Sequence, residues 1–155
     1  MNFIRSPQSQ TFSLPANLIK LDNGLTLIHQ QIPGSAVAAV DVWVNAGSIV
    51  EIDEWSGMAH FLEHMIFKGT EKILPGQFDQ AIENRGGMTN AATSYDYAHY
   101  FINTASQDLS ETLPYLGELL LQAAIPEDEF DREREVVLEE IYQTFDSPDY
   151  VAFQA

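Results

Sequence analysis

Residues 60 to 64 read His-Phe-Leu-Glu-His, and no other stretch constrains the fold of this chain as tightly. A helix sets residues four apart on one face, so both imidazoles can reach one metal ion while the glutamate projects beside them. At about 100° per residue, His64 lies about 40° round the helix from His60, and Glu63 lies about 60° to the other side. Catalytic zinc commonly takes two histidines, a carboxylate and a water that leaves its position open. The metal lowers the pKa of that water to about 7, and a carboxylate that is not a ligand can then take its proton. Glu63 is the candidate for that base. The competing reading makes His60 and His64 ordinary hydrogen-bonded or solvated helix residues. The pattern therefore requires a third ligand from a distant part of the chain.

Residues 126 to 145 supply a place to look. Pro126 opens the segment, acids follow, and Phe130, Val137, Leu138, Ile141 and Phe145 form an apolar stripe; together these predict a long helix. With Val137 at zero, Glu133 and Glu140 fall at about −40° and −60°, between Val137 and Val136, while Glu135 and Glu139 fall near the opposite face. Two carboxylates therefore point inward. A buried carboxylate is costly unless it is paired, hydrogen-bonded or bound to metal. Salt bridges to Arg132 or Arg134 are the alternative.

The motifs around these residues resemble a known family. H-x-x-E-H is followed by an E-R-E-x-x-x-x-E-type helix whose last glutamate lies 76 residues on, since 140 minus 64 is 76. With L-D-N-G-L-T at 21 to 26, V-W-V-N-A-G-S at 42 to 48, F-K-G-T after the pentad and G-G-M-T-N-A at 86 to 91, the chain resembles the inverted-motif zinc peptidases of the pitrilysin, insulin-degrading and mitochondrial-processing-peptidase family, M16. The helix R-E-R-E-V-V-L-E-E-I and the D-S-P-D at 146 to 149 look most like the bacterial processing-peptidase branch. The resemblance implies that His60, His64 and Glu140 hold one Zn2+, that Glu63 is the catalytic base, and that Glu133 orients a liganding histidine without touching the metal. It implies a peptide or unfolded-protein substrate, added as a strand to the sheet edge with its backbone held near Asn90 and Ala91. It also implies an α+β fold, a mostly antiparallel twisted sheet packed on one side by helices.

Length and charge fit that expectation. The 155 residues suffice for one core, so residues 1 to 155 are read as a single domain. No apolar run reaches the roughly 18 residues of a membrane span, and residues 1 to 13 lack a signal-peptide core, so a cytoplasmic location is expected, in a bacterium as the resemblance implies. With no cysteine, a zinc site must use imidazole and carboxylate. Only seven Lys and Arg against a net charge of −16 argue against nucleic acid as a partner. An acidic cavity would draw cationic peptides by long-range attraction, although most of the charge is expected to be solvated surface. The chain ends at Ala155 without a helix stop, just after Ser147 and Pro148 open what reads as a new helix. Family members also carry an arginine and a tyrosine that have no counterpart here. A fragment lacking a C-terminal domain or partner subunit is therefore expected. The competing function is a noncatalytic peptide-binding subunit of an M16-type assembly; an intact pentad and third ligand count against it, because a scaffold needs neither.

Periodicity and turn signals predict the remaining elements. Residues 19 to 30 read as a hairpin around Asp22, Asn23 and Gly24. Residues 38 to 44 form a strand with Val40, Val42 and Val44 on its buried face. The pentad helix runs from about Gly57 to Lys68, with Ser56 as N-cap, acids at 51, 53 and 54 near its positive end, and Gly69 as its stop. A second helix covers 75 to 84, a long strand 89 to 104, and a third helix 109 to 123. Tyr95, Tyr97 and Phe101 are read as core and cross-strand packing, and His29 and His99 as outside the metal site.

Overall fold

A computed structural model describes residues 15–148, which divide into two compact units, one up to Ser35 and one from Ala36. The first unit is an antiparallel hairpin of β1 (Asn17–Lys20) and β2 (Thr26–His29), with Leu18 opposite Ile28. Its turn closes where expected: Gly24, at φ 92°, donates to the Leu21 carbonyl, and Asn23 Oδ1 accepts the Leu25 amide. Only glycine adopts that backbone conformation at little cost.

The second unit runs β3 (Val37–Val44), α1 (Met58–Ile66), α2 (Gln77–Glu83), β4 (Met88–Thr93), β5 (Ala98–Ala105), α3 (Leu109–Gln122) and α4 (Glu127–Asp146). Its sheet is antiparallel throughout, in the order β3-β5-β4. Alternation sends Ala98, Tyr100 and Ile102 to one face of the central strand, with Val40 and Val42 opposite on β3 and Ala91 on β4. Ile66, Phe78, Ile82, Leu116 and Leu119 pack on that face from the helical side and complete the core. The result is the α+β class, a sheet with helices on one face.

Local departures from expectation have local causes. The stretch 89–104 is two strands, because Ser94 to Tyr97 form a turn in which the Ser94 amide donates to the Tyr97 carbonyl. Tyr95 is consequently exposed at that turn, and Phe101 lies on the sheet face opposite the core, beside His99. Val44 is also exposed. The N-cap of α1 is Gly57, at φ 91°, rather than Ser56, and Glu51 supplies the capping oxygens: its carboxylate accepts the amides of Gly57 at 2.8 Å and Ala59 at 2.6 Å. Helix α1 ends at Ile66 with Phe67 as its C-cap, so Gly69 serves the following turn. On α4, Val137 is buried but Phe130, Leu138, Ile141 and Phe145 stay partly exposed. Ser147 caps that helix, and the new helix expected after it falls largely outside the described residues.

Candidate metal centre

Helix α1 delivers His60 and His64 to one face, and α4 lies against it. The donor atoms converge: His60 Nε2 and His64 Nε2 are 3.2 Å apart, and Glu140 Oε2 lies 3.4 Å from the second and 3.6 Å from the first. Among the described residues, these three form the only histidine, cysteine or acidic group of three or more with donors close enough to hold a metal ion. Zinc bonds of about 2.0–2.1 Å in tetrahedral geometry put neighbouring ligand atoms about 3.3 Å apart, so the donor set fits zinc. Lone pairs facing one another at this distance repel unless a cation or a proton lies among them.

Glu133 decides which nitrogen of His64 is free. Its Oε1 lies 2.8 Å from His64 Nδ1, and a carboxylate can only accept, so Nδ1 donates and Nε2 keeps its lone pair toward the triangle. The other oxygen, Oε2, pairs with Lys68 Nζ at 2.6 Å. Burial pushes the Glu133 carboxyl upward, but the hydrogen bonds and charges of Lys68 and His64 outweigh it and hold the group below its usual range. Arg132 and Arg134 are engaged elsewhere, with Glu129, and with Asp131 and Glu135. The salt-bridge alternative for Glu133 and Glu140 therefore does not describe these two arginines.

Glu63 lies one turn along the same helix. Thr93, the last residue of β4, donates its hydroxyl to Glu63 Oε2, which engages one oxygen and leaves Oε1 available. Beneath it, Tyr100 is buried, and burial together with the Glu63 charge raises its phenol to about 12, so it stays neutral. An open cavity of about 260 Å³ adjoins the triangle, lined in part by Glu63, Phe67, Lys68, Asp79, Asn90, Ala91 and Glu133. Asn90 and Ala91 lie on β4, the outer strand of the sheet, where Asn90 Oδ1 accepts the Ala91 amide at 2.9 Å. His99 pairs with Asp41 at 3.0 Å, away from the triangle.

Sequence reasoning missed two members of this arrangement, Lys68 and Thr93. Lys68 follows His64 by four residues and so continues the ligand face; that spacing was a usable signal. Thr93 is two residues beyond Ala91 and shares its side of the strand, equally legible once β4 is bounded. Glu51, read from the sequence as one of three acids near the positive end of α1, is the one whose carboxylate caps it.

Comparison with known proteins gives this geometry a lineage. The family described as Insulinase (Peptidase family M16) matches residues 26–155. The chain is 37% identical to the mitochondrial-processing peptidase subunit beta of Neurospora crassa, covering 88% of the chain and 29% of that protein. It is also 37% identical to the zinc protease PqqE of Helicobacter pylori, covering 92% and 33%. A protease crystal structure from Helicobacter pylori superposes with a TM-score of 0.83 at 37% identity, over 88% of this chain and 33% of that one. Pitrilysin, at 24% identity, shares the fold with a TM-score of 0.74 over 82% and 14%. The chain thus spans about a third or less of the length of these relatives. Among the described residues no helix is long and apolar enough to cross a membrane. On the match across most of its length and on these relatives, the chain belongs to the insulinase family of peptidases, M16.

Proposed function

We propose that residues 1 to 155 form a zinc-dependent endopeptidase domain, with His60, His64 and Glu140 holding one Zn2+ and Glu63 serving as the base. The convergence of three donors within tetrahedral spacing carries this reading. When bound, zinc supplies a water of lowered pKa and an electrophile for the scissile carbonyl. Glu63 Oε1 takes a proton from water as the oxygen adds to the carbonyl carbon, then returns it to the amine nitrogen as the C–N bond breaks. Thr93 holds the other oxygen of Glu63 so that the free one keeps its direction. Glu133 keeps His64 in the tautomer that a metal ligand requires.

The substrate is an extended peptide or unfolded protein. It would add to the outer edge of β4, and its carbonyl would take the place of Asn90 Oδ1 on the Ala91 amide. The carboxylates of Glu63, Asp79 and Glu133 around the cavity, offset by Lys68 alone among its lining residues, favour basic segments. His60 and Glu140 have side chains 40% and 45% exposed. In this reading a further protein region or a partner subunit covers that side during turnover.

Zinc analysis and cleavage of a fluorogenic basic peptide, on the parent chain and on Glu63→Gln, test the proposal. One equivalent of zinc is expected in both, with cleavage falling by roughly 10²–10⁴ in the variant. Equal cleavage by the two proteins would falsify the assignment of the base, and a parent chain that takes up no zinc would remove the metal centre.

A further inference from the structure

We propose that Lys68 is a positioning residue for the metal centre, acting through Glu133 to fix how His64 and Glu140 face each other. The inference rests on the metal reading above and adds a residue which that reading does not use.

Lys68 lies just beyond the end of α1, its amide donating to the Met65 carbonyl, four residues after His64. Its ammonium is 2.6 Å from Glu133 Oε2, while Glu133 Oε1 is 2.8 Å from His64 Nδ1. One carboxylate is thereby held at both oxygens, by one partner each, and can neither rotate nor withdraw. The pair is well enclosed, with side chains 24% and 10% exposed, so water is a poor substitute for the lysine. Glu133 and Glu140 are seven residues apart on α4, two turns along one face. The Lys68–Glu133 contact therefore sets the register of α4 against α1, and with it the approach of Glu140 to the two imidazoles. Neither Arg132 nor Arg134 is free to replace Lys68, since each already pairs with other acids.

The test compares Lys68→Met and Lys68→Arg with the parent by zinc competition against a chromophoric chelator and by the visible spectrum of the cobalt-substituted protein. Lys68→Met is expected to weaken zinc binding about tenfold, the lower end for an outer contact to a liganding histidine, and to alter the cobalt spectrum. Lys68→Arg is expected to recover most of the affinity and the parent spectrum. In a Glu133→Gln background, Lys68→Met is expected to cost nothing further, because its route to the metal has been removed. The same double variant leaves no unpaired carboxylate, so it serves if Lys68→Met alone does not fold. Parent-like affinity and spectrum in Lys68→Met, or an equal loss in both backgrounds, overturns the inference while leaving the metal reading intact. A parent chain that binds no zinc overturns both.

Discussion

The carboxylates of the centre differ in how fully they are occupied, and that difference assigns their work. Glu133 has both oxygens engaged, by His64 and Lys68, and in the proposed reading it orients His64. Glu63 has one oxygen tied by Thr93 and, among the described residues, no hydrogen bond to the other. Asp79, on the wall of the same cavity, belongs to another kind. Burial raises its carboxyl above the usual 3.8, helped by Glu83, and its own backbone hydrogen bond and Lys68 only partly oppose the shift. An acid held above its unfolded pKa binds its proton more tightly in the folded chain, so stability falls as pH rises through the window just above the ordinary aspartate range. Asp79→Asn is therefore expected to unfold at a higher temperature than the parent at pH 7, with the difference closing as pH drops into the carboxylate range. A calorimetric series showing no difference at pH 7, or one that persists in acid, would contradict this. At this scale the pentad was legible from helix periodicity, which also turned Glu133 and Glu140 to one side of α4, whereas joining the two helices at one centre came from the family resemblance, and the Glu140 side chain stays 45% exposed. Of the residues that hold these groups, Thr93 could be read only once the end of β4 is fixed, and that end depends on tertiary register.

Helix α1 has nine residues, too few to persist alone, and no side-chain cap of its own. Its start depends on Glu51, which arrives from the preceding loop and receives two amides at the positive end of the helix dipole. That loop in turn lies against the β4–β5 turn so closely that a Cβ on Gly47 would meet the Ser94 carbonyl oxygen at 2.4 Å. Glu51→Ala should cost about 1–2 kcal/mol in urea unfolding, the upper part of the range for a lost cap, with Glu51→Gln intermediate. An unchanged midpoint would show that the helix starts without this carboxylate. Elements with strong periodicity, such as α3 and α4, were legible in outline. The break between β4 and β5 was not, because the β-formers Thr93, Tyr95 and Tyr97 continue the alternation across it and the Ser94–Tyr97 turn lacks glycine or proline. Strand order was likewise silent, since nothing local says that β5 rather than β4 takes the centre.

Over the whole second unit, the proposed ligands join two helices whose relevant residues lie 76 positions apart, His64 and Glu140. Zinc that binds only the folded chain should raise its unfolding temperature, with a stabilisation of about 2.7 kcal/mol at a free concentration one hundred times Kd. EDTA should reverse the shift. Scans that are identical with and without zinc would mean that the ion does not link these helices in the folded state. The fold class and family were readable from motif spacing. Net charge bore only on expectations about partners, not on the fold.

The contact between Asn90 and Ala91 bears on how the edge of the sheet can pair. A bare outer strand invites pairing with another molecule and can seed aggregates. By covering the Ala91 amide with its side-chain oxygen, Asn90 occupies one of the edge groups that would otherwise be open to pairing, and in the proposed reading a rotation of that side chain uncovers it again.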